Sequence, residues 1–152
     1  MKNNFSKYQG LGNDFIIFDA RSNNLDHFFS KNKDNFIEHL CNRNFGIGAD
    51  GIILILESNN KCFVRMKIYN SDGSEPEMCG NGIRCLIAFL NDNNEINELS
   101  EIPIETKAGL ILTSIDGNEN IKVNMGEPIL SPLDLSLIHI SEPTRQEAIS
   151  YA

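Results

Sequence analysis

The stretch Ile83-Arg-Cys-Leu-Ile-Ala-Phe-Leu90 decides the fold class of this 152-residue chain. Large apolar side chains recur in it at the i, i+3, i+4 and i+7 positions of a helix, namely Ile83, Leu86, Ile87 and Leu90. Only one of its eight residues, Arg84, is charged, so the helix has no polar face. We therefore expect this helix to lie inside the protein, surrounded by the other elements.

Seven strand-like segments lie on either side of this helix in the sequence. They span residues 5–8, 15–19, 52–56, 62–69, 102–105, 109–114 and 120–125. A second, amphipathic helix is predicted over residues 34–42. Turn signals such as Asp116-Gly117-Asn118 join several strands as hairpins. This order predicts an α+β domain in which a mixed or antiparallel β-sheet is rolled around the central apolar helix.

The overall composition is typical of a globular domain. Hydrophobic residues make up 41% of the chain, and 21 acidic against 13 basic residues give a net charge of −8. Because no Lys/Arg cluster is present, nucleic acid and anionic membranes are not expected as partners. The N-terminus has no signal-peptide core, and the longest apolar run is too short to span a bilayer. We expect a cytoplasmic chain whose four cysteines are free thiols.

The strongest functional signal surrounds Cys79. Polar turn residues lead into this cysteine, and Gly80-Asn81-Gly82 then opens the apolar helix. A thiol at the first turn of a helix faces unpaired backbone N–H groups and the positive end of the helix dipole, which favour the thiolate. Cys79 is therefore a candidate base, and the same N–H groups suit a substrate carboxylate. Spacing alone leaves open a buried, inert cysteine, whereas Cys85 is predicted to be core packing.

Other kinds of site fit the sequence less well. Gly46-Ile-Gly-Ala-Asp-Gly51 has the letters of a dinucleotide-binding motif, but it follows a predicted helix and precedes a strand, the reverse of the required order. Cys79 and Cys85 do not have the spacing of zinc ligands, and the three histidines are predicted to be surface residues, so no metal is predicted. A redox thiol stays possible, although no Cys-x-x-Cys pair is present.

Five blocks of sequence, taken together, resemble the diaminopimelate epimerase family. They are Gly10-Leu-Gly-Asn-Asp-Phe15, Asn42-Arg43 with Gly46-Ile-Gly-Ala-Asp50, Tyr69-Asn-Ser-Asp-Gly-Ser-Glu75, Met78-Cys-Gly-Asn-Gly-Ile-Arg-Cys85 and Asn124-Met-Gly-Glu-Pro128. The resemblance implies a PLP-independent isomerase without a cofactor, which interconverts LL- and meso-2,6-diaminopimelate for lysine and peptidoglycan precursor synthesis. It also implies a homodimer for the full-length protein. Proline racemase-like enzymes and phenazine-biosynthesis isomerases share the fold and are the related alternatives.

The resemblance implies roles for individual residues. Cys79 resembles the catalytic cysteine of the family's first domain, which works with a second cysteine as a thiolate–thiol pair on opposite faces of the α-carbon. Gly80 and Asn81 match the positions that hold the substrate α-carboxylate. Asn13 and Asn70 match amides that contact the substrate. These five residues form the expected site.

The chain also departs from the family pattern. Gly51 stands where some relatives have a substrate-binding Gln, so that side-chain contact is expected to be absent or replaced by backbone. The resemblance to the family ends near Pro132, so we expect an epimerase domain over residues 1–132 and a tail over 133–152. Asn occurs 20 times in the chain but never in residues 135–152, so the tail is expected to be artefactual or disordered. With only one of the two cysteines, the chain is expected to be inactive alone, and a non-catalytic module that retains carboxylate binding is the alternative.

Overall fold

The structure of the protein, a computed structural model, describes residues 4–22, 24–58, 60–96, 101–116 and 120–126. Its elements are β1 (Ser6–Gly10), β2 (Asn13–Asp19), α1 (Leu25–Cys41), β3 (Gly51–Leu56), β4 (Val64–Asn70), α2 (Gly80–Asp92), β5 (Ile102–Thr106), β6 (Gly109–Ile115) and β7 (Ile121–Val123). The strands form one sheet in sequence order. Only β2–β3 and β4–β5 are parallel. Each of these pairs is joined through a helix, since a parallel pair needs a crossover connection.

The sheet curls around α2. Five α2 side chains are at most 2% exposed: Ile83, Cys85, Leu86, Ile87 and Leu90. They belong to a core to which all seven strands contribute apolar side chains. The helix also contacts both outermost strands, β1 and β7, which a flat sheet would not allow. Full burial of one such side chain stabilises the fold by about 1.5–3 kcal/mol. The predicted α+β fold, with a mixed sheet rolled around the apolar helix, is confirmed.

The other face of the sheet is covered by α1. Phe29 and Ile37 of this helix are buried in a second core formed with side chains from β2 and β3. All six residues of β3 are buried because the strand is covered on both faces. The helix begins at Leu25, so the predicted span of 34–42 was too short. Asn32 departs from helical angles, but packing of Phe29 on the sheet holds the first part of the helix in place.

Candidate functional site

The candidate site lies where β2 and β3 begin and β4 ends, at Asn13, Gly51 and Asn70. We call this end of the strands the site edge. Gly10 pairs with Asn13 in the β1–β2 hairpin, and Phe15 pairs with Gly51 at the start of β3. Gly51 in turn pairs with Asn70 at the end of β4. The sequence-predicted residues Asn13 and Asn70 therefore lie at the same edge, on the two strands that flank β3.

The start of α2 lies at the same edge. A Cβ on Gly10 would be 3.5 Å from the Cys85 sulfur and 3.6 Å from the carbonyl oxygen of Asn81, so the β1–β2 turn rests directly on the first turns of α2. A Cβ on Gly80 would be 3.3 Å from the sulfur of Met125, which follows β7. The absence of side chains at these two glycines brings the neighbouring segments close to the helix start.

Cys79 is the N-cap residue of α2. Its backbone is extended, with φ −145° and ψ 114°, and its Sγ accepts a hydrogen bond from the Gly82 N–H at 3.4 Å. The sulfur thus occupies the place where Ser, Thr, Asp or Asn usually caps a helix. The side chain is partly exposed. N–H groups and the positive end of a helix dipole stabilise negative charge, so this sulfur is placed as a base or nucleophile would be.

The other three cysteines have different surroundings. Cys85 is 2% exposed, and burial, together with the charge of the nearby Cys79, raises the pKa of its thiol to about 11. Burial, reinforced by two nearby carboxylates, raises the pKa of Cys41 to about 11 as well. Cys62 lies in the connection between β3 and β4. Cys85 is a core residue, as predicted, and none of these three described cysteines begins a helix.

Asn70 shapes the loop that leads to Cys79. Its backbone N–H donates to the Ser74 carbonyl oxygen at 2.9 Å, and its Nδ2 donates to the Ser74 hydroxyl, also at 2.9 Å. Further along, the Ala108 N–H donates to the Glu77 carbonyl oxygen at 3.1 Å, which docks the loop on the β5–β6 turn. This hydrogen bond uses one of the two N–H donors of the Asn70 amide, and its Oδ1 is able to accept a hydrogen bond.

An ion-pair network lies directly beside Asn13; we call it the Asp14 network. The Asp14 carboxylate contacts Lys7 at 3.0 Å and Arg43 at 2.7 Å, and Arg43 reaches Asp50 at 2.8 Å. A hydrogen bond from Arg43 is the main reason that the pKa of Asp14 lies well below its usual range. Hydrogen bonds with Lys7 and Asp50 lower this pKa further, whereas burial raises it. Asp14 is therefore ionised throughout the neutral range.

The Asp14 network also ties the backbone of the site edge together. The Asp14 N–H donates to the Asp50 carboxylate at 3.0 Å, and the Asp50 N–H donates back to the Asp14 carboxylate at 3.1 Å. The Ser71 N–H donates to the Asp50 carbonyl oxygen at 3.1 Å. Asn13 and Asn70, each next in sequence to one of these residues, are thereby held in fixed relation. Sequence reasoning missed this network, although Arg43 and Asp50 lay in the blocks used for the family resemblance.

Gly51 has no room for a side chain. A Cβ there would lie 2.5 Å from the Tyr69 carbonyl oxygen and 3.2 Å from the Phe15 ring, well inside van der Waals contact. A longer side chain would therefore require the strands to move apart. Packing therefore explains why position 51 cannot supply a side-chain contact in this chain. A backbone contact of Gly51 with substrate stays a prediction.

The structure also bears on a dinucleotide site, a metal site and membrane-spanning helices. Residues 46–51 follow α1 and lead into β3, so the dinucleotide motif lacks the strand-before-helix arrangement it requires. Within the described ranges, no group of three or more His, Cys, Asp or Glu side chains is placed to hold a metal ion. None of the described helices combines the length and the apolar character needed to cross a bilayer.

Comparison with known proteins decides the family. Residues 5–131 match the family model described as "Diaminopimelate epimerase". The chain belongs to the diaminopimelate epimerase family. The diaminopimelate epimerase of Prochlorococcus marinus (strain NATL2A) is 98% identical over 135 residues, which are 89% of this chain and 48% of that protein. The chloroplastic diaminopimelate epimerase of Oryza sativa subsp. japonica is 47% identical over 131 residues, 86% of this chain and 36% of that protein. The chain thus spans about half the length, or less, of these relatives.

Solved structures support the fold of this diaminopimelate epimerase family member. A hydroxyproline epimerase from Agrobacterium vitis, with bound trans-4-OH-L-proline, has a TM-score of 0.58 at 14% identity and covers 80% of this chain and 40% of that chain. A phenazine biosynthesis protein of the PhzF family from Bacillus anthracis has a TM-score of 0.55 at 21% identity and covers 81% of this chain and 40% of that chain. At these identities the likeness shows the fold alone. The expected sharing of a fold with such enzymes is confirmed.

Proposed function

We propose that this chain carries the thiolate half of a diaminopimelate epimerase site, where Cys79 removes the α-proton of 2,6-diaminopimelate during interconversion of the LL and meso forms. One observation carries the proposal: in a chain of this family, Cys79 caps α2 and its sulfur lies 3.4 Å from a backbone nitrogen of the helix start. A partly exposed sulfur in such a position is suited to accept a proton.

The chemistry explains why a helix start is useful here. Removal of an α-proton leaves negative charge beside the substrate carboxylate, and without PLP to delocalise it the site must supply oriented donors. The first N–H groups of a helix have no acceptor within the helix, so those of Gly80 and Asn81 can bind that carboxylate. The amides of Asn13 and Asn70, at the same edge, hydrogen-bond other polar groups of the substrate.

The surroundings of the other cysteines favour a second function for this chain alone, carboxylate binding without epimerisation. A single base would have to return the proton to the face opposite the one it came from, which a second acid avoids. Cys41 and Cys85 are buried, at 5% and 2% exposure, so neither thiol is open to a substrate as Cys79 is. For this chain alone we therefore propose carboxylate binding at the start of α2 with little or no epimerisation.

Membership of the family also supports proposals about the domain bounds, location and partners of the protein. We assign residues 1–132 to the epimerase domain; the family match ends at 131, and the predicted tail, 133–152, lies outside the described residues. We propose a cytoplasmic protein that acts on a small molecule without a cofactor or metal, with a homodimer as the full-length form. The net charge of −8 supports the absence of nucleic acid from its partners.

Alkylation of the thiols tests the proposed site. The purified chain is treated with iodoacetamide at pH 7, and the labelling rate of each cysteine is measured by peptide mass spectrometry. Cys79 should label faster than Cys62, which serves as the control within the same sample, and the buried Cys41 and Cys85 should label slowest. Meso-diaminopimelate should slow the labelling of Cys79 alone. If Cys79 reacts no faster than Cys62, or if diaminopimelate does not protect it, the proposal is wrong.

A further inference from the structure

The turn between β1 and β2 carries an apolar side chain in an unfavourable setting. Leu11 and Gly12 have φ values of +56° and +84°, so both central residues of this two-residue turn are left-handed, as a type I′ turn requires. Glycine adopts such angles freely, and Asn or Asp tolerates them, but Leu is disfavoured because its Cβ crowds the backbone. The Leu11 side chain is also 61% exposed to solvent. Leu11 thus combines an unfavourable backbone angle with little burial.

Leu11 is next in sequence to a residue that rests on the start of α2. Gly10, its neighbour in sequence, rests against Asn81, and Asn13 follows two residues later. A second exposed apolar side chain, Met125, is 54% exposed and places its sulfur beside Gly80. Two exposed apolar side chains, Leu11 and Met125, thus belong to the segments that rest on the start of α2. The proposed function assigns the N–H groups of that helix start to a carboxylate.

This combination suits one class of ligand. N–H groups at the helix start bind a carboxylate, whereas Leu11 and Met125 can gain only by covering hydrocarbon. We infer that Leu11, together with Met125, contacts the aliphatic chain of the bound amino acid and makes the site select ligands by the length of that chain. The inference rests on the proposed function and deepens it, since the α-carbons of diaminopimelate are joined by methylene groups.

A series of amino acids tests the inference. Alanine, 2-aminobutyrate, norvaline and norleucine share one head group and differ by single methylenes. Their dissociation constants are measured from the protection of Cys79 against iodoacetamide, with meso-diaminopimelate for comparison. A methylene removed from water strengthens binding by up to about fourfold, so a gain of roughly two- to fourfold per methylene is expected for partial coverage.

Two glycine variants separate ligand contact from a structural role. Leu11→Gly should abolish most of the gain per methylene while it raises Tm by about 2–4 °C, because the left-handed angle is relieved. Lys61→Gly is the matched control: Lys61 has φ +58° in the exposed loop at the opposite end of β3 and β4. It should raise Tm similarly and leave the chain-length dependence intact. Met125→Ser should weaken that dependence without raising Tm.

The outcomes distinguish the inference from the proposed function. If no amino acid, diaminopimelate included, protects Cys79, the proposed function fails and the inference fails with it. If all the amino acids protect equally, or if Leu11→Gly keeps the chain-length dependence, the inference is overturned while the proposed function stands. A lower Tm for Leu11→Gly would also overturn it, because Leu11 would then be needed by the fold.

Discussion

Two cysteines of one helix show how position decides the chemistry of a residue. Cys79 caps α2 and its sulfur receives a backbone N–H, whereas Cys85, six residues later, is packed inside the core. Burial raises the pKa of Cys85 to about 11, so this thiol stays protonated at neutral pH. The sequence could predict this difference, because Gly-Asn-Gly after Cys79 marks a helix start and the following apolar run marks a buried helix.

Substitution of Cys79 should reveal its capping role in stability. Cys79→Ala removes the acceptor for the Gly82 N–H and should lower the free energy of unfolding by roughly 0.5–2 kcal/mol. Cys79→Ser supplies a hydroxyl acceptor and should retain most of that stability, although it loses the reactive sulfur. Urea unfolding of both variants measures the difference. Cys85→Ser is the contrasting control, since a hydroxyl in the core without a partner should cost about 1–3 kcal/mol. Equal stability of the Ala and Ser variants at position 79 would contradict the capping role.

At the scale of elements, the Asp14 network joins β1, β2 and the segment before β3. Lys7, Asp14 and Asp50 come from these three parts of the chain, and Arg43 bridges two of the carboxylates. The Asp14 side chain is only 15% exposed, whereas Arg43 is 56% exposed. Loss of the Asp14 charge would therefore leave Lys7 and Arg43 without their shared partner and loosen the edge that carries Asn13.

The network predicts a pH dependence of stability. Because the pKa of Asp14 is lowered in the folded state, the stability it supplies is present above the unfolded pKa of about 4 and is lost as the pH falls toward the folded pKa. Asp14→Asn should therefore be less stable than the parent chain at pH 7, and the gap should narrow below about pH 4. Urea unfolding at a series of pH values measures the gap. Glu57→Gln, which removes an exposed carboxylate outside the network, should show no such convergence. A gap for Asp14→Asn that stays constant down to pH 2 would count against the network.

How much of this could be predicted depends on the range of the interactions. The α+β class, the seven strands and the apolar central helix followed from local periodicity. The true start of α1 did not, because Phe29 packs on a sheet that is distant in sequence. The Asp14 network also could not be predicted, since the residues that bond to Asp14 lie up to 36 positions away and meet only through the strand register. The position of Cys79 at a helix start could be predicted because its signal is local, whereas the strain at Leu11 is visible only in backbone angles.

At the scale of the whole molecule, the chain should bind more readily than it turns over. Epimerisation requires a base on one face of the α-carbon and an acid on the other, and only Cys79 among the four cysteines caps a helix. We therefore expect no measurable conversion of LL- to meso-diaminopimelate by the 152-residue chain. Any deuterium that enters the α-position in deuterated water should be slow and depend on Cys79.

Mass spectrometry and chiral chromatography of the same reaction separate the two events, exchange and inversion. Cys79→Ala controls for non-enzymatic exchange, and Cys62→Ser controls for reaction at a second accessible thiol, so the first should abolish exchange and the second should not. Conversion at a rate near that of a full-length relative would show that the chain supplies its own acid on the opposite face. In that case one of the buried thiols, or a group other than a thiol, must donate the proton, and the division of roles between two cysteines would not hold for this protein.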